Sequence, residues 1–145
     1  MPMETDEVET FEAFQAKLTL GKPTAVFLFW TECGYCDAIA PFFEEQSLHD
    51  SHKHIEFFRV DKESDLGRRF RANYSIKGYP RFLVFNVPNI SGVSAVPGRR
   101  IHGDNTVIIE KGGDKQALLS ETLAHCSGRL AKPKGRGRKR VPTKI

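Results

Sequence analysis

The run FLFWTECGYCDAIAPFFEE, residues 27–45, decides how the rest of this chain is read. Its first residues complete the apolar segment TAVFLFW (24–30), whose β-branched and aromatic members suit a buried central strand. Further on, Cys36, Ile39, Ala40, Phe42 and Phe43 form an apolar stripe at helical spacing. A helix is therefore expected to open at the cysteine pair, with Pro41 inside it as a source of a kink. Cys33 and Cys36 stand at the junction between the two elements, three positions apart.

That placement suits thiol chemistry. Disulfide exchange needs an accessible thiolate and a second thiol within reach of it. Residues at i and i+3 of a helix lie about 5–6 Å apart, inside the roughly 4.4–6.8 Å that a disulfide accepts between α-carbons. The first thiol also faces the unpaired N–H groups of the first turn, which favour an anion. Cys33 is thus read as the nucleophile and Cys36 as the resolving thiol. Two plainer readings stand beside this one. The pair can fill space, although glycine at a helix mouth is not what a packing pair needs. It can also hold a metal, but zinc requires more ligands, and Cys126 with His49, His52 or His54 offers no second CxxC and no regular spacing. No metal and no cofactor are expected.

Around this run the chain alternates helices and strands. EVETFEAFQAKL sets Val8, Phe11, Phe14 and Leu18 at the spacing of a short amphipathic helix from about Thr10, with room for a small strand before it. HIEFFRVD predicts a second buried strand, and ESDLGRRFRANY a helix with Leu66, Phe70 and Tyr74 on one face. Gly78-Tyr79-Pro80 is a turn, RFLVFNV a third strand, and 88–104 a loop punctuated by Pro and Gly. NTVIIEKGG is a further strand, and DKQALLSETLAHC a closing helix burying Leu118, Leu119, Thr122, Leu123 and Cys126. This order predicts an α/β fold: a mixed sheet with helices on both faces. The histidines are expected at the surface or in loops.

The 145 residues suit one domain of ordinary size, and no run approaches the ~18 apolar residues of a membrane span. Three cysteines are too few for a disulfide-stapled secreted scaffold. The net charge of +4 is unevenly placed. RLAKPKGRGRKRVPTKI, residues 129–145, carries eight basic side chains from Arg129 to Lys144 and no acidic one, which leaves residues 1–128 at −4. Its Gly, Pro and charge content predict a disordered tail able to meet nucleic acid or an acidic surface, or to stay solvated with no dedicated partner. The acidic start MPMETDEVET has the character of neither a signal peptide nor a transit peptide, so the expected compartment is the cytoplasm or nucleus, or the ER lumen if a targeting segment was removed. Asn89-Ile90-Ser91 is a glycosylation sequon, meaningful only in a secretory compartment.

Taken with FFRVDKESDLGRRFRANYSIKGYPRFLVF (57–85), the opening run resembles the thioredoxin fold, nearest the catalytic domains of protein disulfide isomerases. The resemblance spans about residues 7–128 and rests on Cys33–Cys36, Pro41, Asp61 at a strand end, and Gly78-Tyr79-Pro80. It implies a cis proline at Pro80 and a substrate-facing backbone at Tyr79, with Arg81 where the family usually has Thr. Glutaredoxins are a rival family, but here a strand-sized segment and a helix precede the cysteine strand. Other positions depart from the thioredoxin pattern. Glu32 replaces the Trp before the first Cys, Asp37 the Lys after the second, and Phe27 the buried carboxylate held to relay protons to the resolving thiol. Arg59 matches the place where disulfide isomerases carry a partner lysine, but the carboxylate it would partner is gone. Gly34-Tyr35 matches the middle pair of bacterial periplasmic disulfide isomerases.

These readings combine into one expectation: residues 1–128 form a thioredoxin-like domain and 129–145 a basic tail. The domain is expected to be a monomeric thiol–disulfide oxidoreductase or isomerase acting on protein disulfides or thiols, without a membrane. Cys33 and Cys36 are catalytic; Glu32, Gly34, Tyr35 and Asp37 tune them; Tyr79, Pro80 and Arg81 bind substrate. Glu32 beside Cys33 opposes a thiolate there, so Glu32→Gln is expected to raise reactivity. With Phe27 supplying no base, resolution is expected to be slow. The alternative is a feebly catalytic or non-catalytic interaction module whose tail binds nucleic acid or a ribonucleoprotein.

Overall fold

A computed structural model of the chain describes residues 5–18, 20–88, 96–98, 106–109 and 115–127, the side chains of 96–98 excepted. The tail 129–145, the 128/129 boundary, the sequon at 89–91 and most of the expected 88–104 loop lie outside them. The elements run β1 (Asp6–Glu7), α1 (Phe11–Leu18), β2 (Thr24–Phe29), α2 (Gly34–Ser47), a 3-10 turn (Asp50–His52), β3 (Glu56–Asp61), α3 (Asp65–Tyr74), β4 (Arg81–Phe85), β5 (Val96–Gly98), β6 (Thr106–Ile109) and α4 (Lys115–Cys126). Their sheet has the order β1-β3-β2-β4-β6-β5; β1, β3 and β2 are parallel, and β4, β6 and β5 are each antiparallel to their neighbours. This is the α/β mixed sheet that the alternation of helices and strands predicts. One correction concerns the 88–104 segment: it contains β5, paired with β6, where Pro and Gly had argued for loop throughout. Pro97 is tolerated there because β5 is the edge strand.

Period-two alternation deals the strand side chains onto two cores. Val26, Leu28, Phe58, Val60, Leu83 and Phe85 face α1 and α3, where Phe14, Leu18, Leu66, Phe70 and Tyr74 meet them. Ala25, Phe27, Phe57, Phe82, Val84, Val107 and Ile109 face α2 and α4, against Cys36, Phe43, Leu119 and Leu123. Phe14, Phe70 and Phe85 form an aromatic knot on the first face, with centroids 4.9–5.6 Å apart. Phe27, Phe43 and Phe82 do the same on the second, at 5.4–5.9 Å.

The helix ends follow local chemistry. Thr10 Oγ1 accepts from Ala13 N at 3.1 Å to start α1, and Ser64 Oγ accepts from Gly67 N at 3.0 Å to start α3. Gly67 is needed because a Cβ there would sit 2.1 Å from the Asp61 carbonyl oxygen. α2 continues from Gly34 to Ser47 with Pro41 inside it. No described helix is long and apolar enough to cross a membrane.

Two long-range polar contacts fix the start of the chain. Thr5 N and Thr5 Oγ1 donate to the buried Glu44 carboxylate on α2, the first at 2.9 Å and the second at 2.5 Å. Arg59 Nη2 donates to Thr5 O at 2.7 Å. His52, expected at the surface, is instead 4% exposed, its Nδ1 2.7 Å from Gln46 O and its ring beside Phe57.

Candidate active site

The register between β2 and β4 assembles the site. Leu28 lies opposite Arg81 on the antiparallel strand, so the chain leaving β2 toward Cys33 meets the chain entering β4 through Tyr79 and Pro80. The Tyr79–Pro80 peptide bond is cis and Pro80 is buried. Cys33 is the N-cap of α2, its backbone extended, and its Sγ accepts from Cys36 N at 3.0 Å. An anion at that sulfur is therefore met by an unpaired first-turn N–H. Sγ also lies 3.8 Å from Tyr79 O, toward which its S–H can donate.

The two thiols differ sharply. Both are free, but Cys33 is half-buried while Cys36 is 3% exposed. Burial pushes the Cys36 thiol up to about 12, helped by its hydrogen bond with Cys33. Cys36 remains a protonated reserve while Cys33 meets the solvent. Cys126 packs against the same core, and burial pushes its thiol up to about 12 as well, consistent with the packing role expected of it.

The other nominated residues separate into two groups. Glu32, Gly34, Tyr35 and Asp37 are exposed around the helix mouth, Tyr35 at 81%. Tyr79 and Arg81 are half-buried on the opposite rim, and Arg81 Nη1 donates to Pro80 O at 3.1 Å. Beneath Cys36 lies a cavity of about 330 Å³ lined by Phe27, Phe29, Ala40, Pro41, Asp37 and Arg59. Phe27, 1% exposed, presents no ionisable group to Cys36. Arg59 turns to the first strand, donating to Thr5 O and pairing with Glu7 Oε1 at 3.4 Å.

Sequence reasoning missed three cations. Lys62 Nζ lies 4.3 Å over the Trp30 ring and 5.3 Å over that of Tyr79. Burial pushes the Tyr79 phenol up, and the nearby Arg71 guanidinium partly offsets this. Burial, then the Arg81 charge, lowers the Lys115 ammonium from its ordinary value, while the two cysteines act the other way. Lys115 carried a faint signal: a cation in the first turn of a helix opposes the helix dipole. Lys62 and Arg71 carried none. Among the described residues no three His, Cys, Asp or Glu side chains converge as ligands for one ion.

Residues 6–106 match the family model for thioredoxin. The Neurospora crassa protein disulfide-isomerase erp38 is 31% identical over 102 residues, which is 68% of this chain but 27% of that protein. The chain thus spans about a quarter of that relative's length. A Dictyostelium discoideum protein carrying the name thioredoxin-5 is 30% identical over 97 residues, covering 67% of this chain and 84% of its own. Among solved structures, Malassezia sympodialis thioredoxin shares the fold with a TM-score of 0.60 at 21% identity, over 86% of this chain and 93% of that one.

Proposed function

This chain belongs to the thioredoxin family, and from that premise we propose that it exchanges thiols and disulfides with protein substrates through Cys33 and Cys36. The observation that carries this reading is the contrast at the helix mouth: a half-buried Cys33 sulfur met by a backbone N–H at 3.0 Å, with a buried thiol one turn behind it. The Cys33 thiolate attacks one sulfur of a substrate disulfide, forming a mixed disulfide and releasing the other sulfur as a thiolate. Cys36, losing its proton to solvent, then attacks Cys33 Sγ. The second substrate sulfur leaves, and the protein keeps a Cys33–Cys36 disulfide. Two electrons have passed to the substrate. The reverse sequence oxidises a substrate dithiol, and stopping at the mixed disulfide permits isomerisation. Direction follows from the potential of the couple: a value near about −270 mV indicates a reductant, one near about −180 mV an isomerase or oxidant.

Insulin reduction and refolding of a scrambled disulfide protein test the reading. Activity in the full chain, its loss in Cys33→Ser, and a trapped mixed disulfide in Cys36→Ser are expected. A wild-type chain inert in both assays overturns it. The apolar Phe27 beneath Cys36 supports a second reading, an interaction module of feeble catalytic power whose basic tail meets nucleic acid. Inert thiols together with nucleic-acid binding that weakens steeply with salt are the results that single it out.

A further inference from the structure

One side chain joins the three strand ends that converge near Cys33. Lys62 follows β3, and its backbone N–H donates to Phe29 O at 2.8 Å. Its side chain is only 15% exposed. The ammonium lies 4.3 Å over the ring of Trp30, just past β2, and 5.3 Å over that of Tyr79, just before β4. Both aromatic residues are half-buried. Lys62 also pairs with Glu63 at 3.7 Å, but that carboxylate is 63% exposed, so water screens the pair. The ring faces are the drier partners, and a cation over an aromatic face is held more firmly when it is shielded from water. Trp30 and Tyr79 in turn each touch the reactive cysteine through the backbone. Trp30 O accepts from Cys33 N at 3.0 Å, and Tyr79 O lies 3.8 Å from Cys33 Sγ. Lys62 thus stands behind two of the main-chain contacts that set where this sulfur sits.

We propose that Lys62 is a positioning residue for the exchange: its ammonium, over the Trp30 and Tyr79 rings, fixes the two backbone segments that flank Cys33. This inference rests on the thiol–disulfide reading above and adds to it a residue far from the CxxC run. Exchange at sulfur is directional. The attacking, attacked and leaving sulfurs must come into line, so a small drift of either segment misaims the attack. Alkylation of Cys33 by a small reagent needs no such alignment, and its rate follows the thiolate fraction. Removing the clamp therefore separates two rates that a general loosening of the fold would change together.

The test uses the full chain, with insulin and a peptide disulfide as substrates and iodoacetamide as the small reagent. In Lys62→Met, kcat/KM on both disulfides is expected to fall about tenfold, while the alkylation rate of Cys33 stays within about twofold. Lys62→Arg is expected to restore most of the activity, because a guanidinium also stacks on aromatic faces. Glu63→Gln is expected to leave every rate unaltered. Trp30→Leu removes the same contact from the other side, and adding it to Lys62→Met is expected to lower the rate little further. Should Lys62→Met fail to fold, Trp30→Leu against Trp30→Phe gives the same reading, Leu slowing disulfide exchange alone and Phe sparing it. A Lys62→Met chain as active as the wild type, equal losses in exchange and alkylation, or no recovery in Lys62→Arg overturns the clamp while leaving the thiol chemistry intact. A wild-type chain inert on both disulfides overturns both.

Discussion

The two faces of the sheet are built from the same materials and used differently. Each carries an aromatic knot of three phenylalanines under two helices. On the α1/α3 face the knot is closed: Phe14, Phe70 and Phe85 are fully buried, and Gly67 brings α3 against the β3–α3 connection too closely for any Cβ. On the α2/α4 face the knot of Phe27, Phe43 and Phe82 stops short of the helix mouth. There the structure leaves a cavity of about 330 Å³ and a buried thiol. Both knots are fully buried and stabilise the fold; the second face in addition holds Cys36 out of water and so protonated until it is needed.

Truncating the closed knot breaks that comparison most severely. Phe70→Ala is expected to lower unfolding free energy by about 3–5 kcal/mol, read from denaturant melts, with the alkylation rate of Cys33 in the folded state unchanged. Gly67→Ala comes next, at about 2–3 kcal/mol, because its methyl group would meet backbone rather than a movable side chain. A large loss of Cys33 reactivity in either variant would mean that the two faces are not separable.

The remaining effects belong to the open face. Burial and the hydrogen bond with Cys33 hold the Cys36 thiol up at about 12, so its thiolate fraction grows as pH rises toward that value. In a preformed mixed disulfide at Cys33 the hydrogen-bond contribution weakens but burial persists. Resolution is therefore expected to accelerate about tenfold per pH unit through the neutral range, measured by stopped-flow release of the substrate thiol. A pH-independent rate would show that a base on the protein takes the proton. The smallest effect is expected from Glu32→Gln, an exposed change that should speed Cys33 alkylation about two- to threefold at low salt and less at high salt. A slower reaction would reverse the role assigned to Glu32.

Much of this was legible in the chain because it is local. TAVFLFW announces a buried strand, and the helical stripe from Cys36 to Phe43 announces α2. Cys33 and Cys36 need only one turn of helix to meet. The likeness at Gly78-Tyr79-Pro80 correctly implied the cis bond. What escaped lies between distant segments or breaks a compositional rule. β5 hid among Pro and Gly because edge pairing with β6 outweighs propensity. His52 carries no local mark of burial; its place depends on the Gln46 carbonyl and the Phe57 ring. The clasp of Thr5 by Glu44 joins residues 39 positions apart, and that of Thr5 by Arg59 joins residues 54 apart.

The sequence by itself determined which side chains each strand sends to either face and which sulfur caps a helix, since both follow from backbone periods of two and 3.6 residues. Tertiary structure alone decided that Cys33 meets the Tyr79 carbonyl across 46 positions and that Lys62 stacks over Trp30 and Tyr79. The reason is register. Pairing Leu28 with Arg81, and Phe29 with Asp61, sets three strand ends side by side, and no pattern within any one of them records what the others bring.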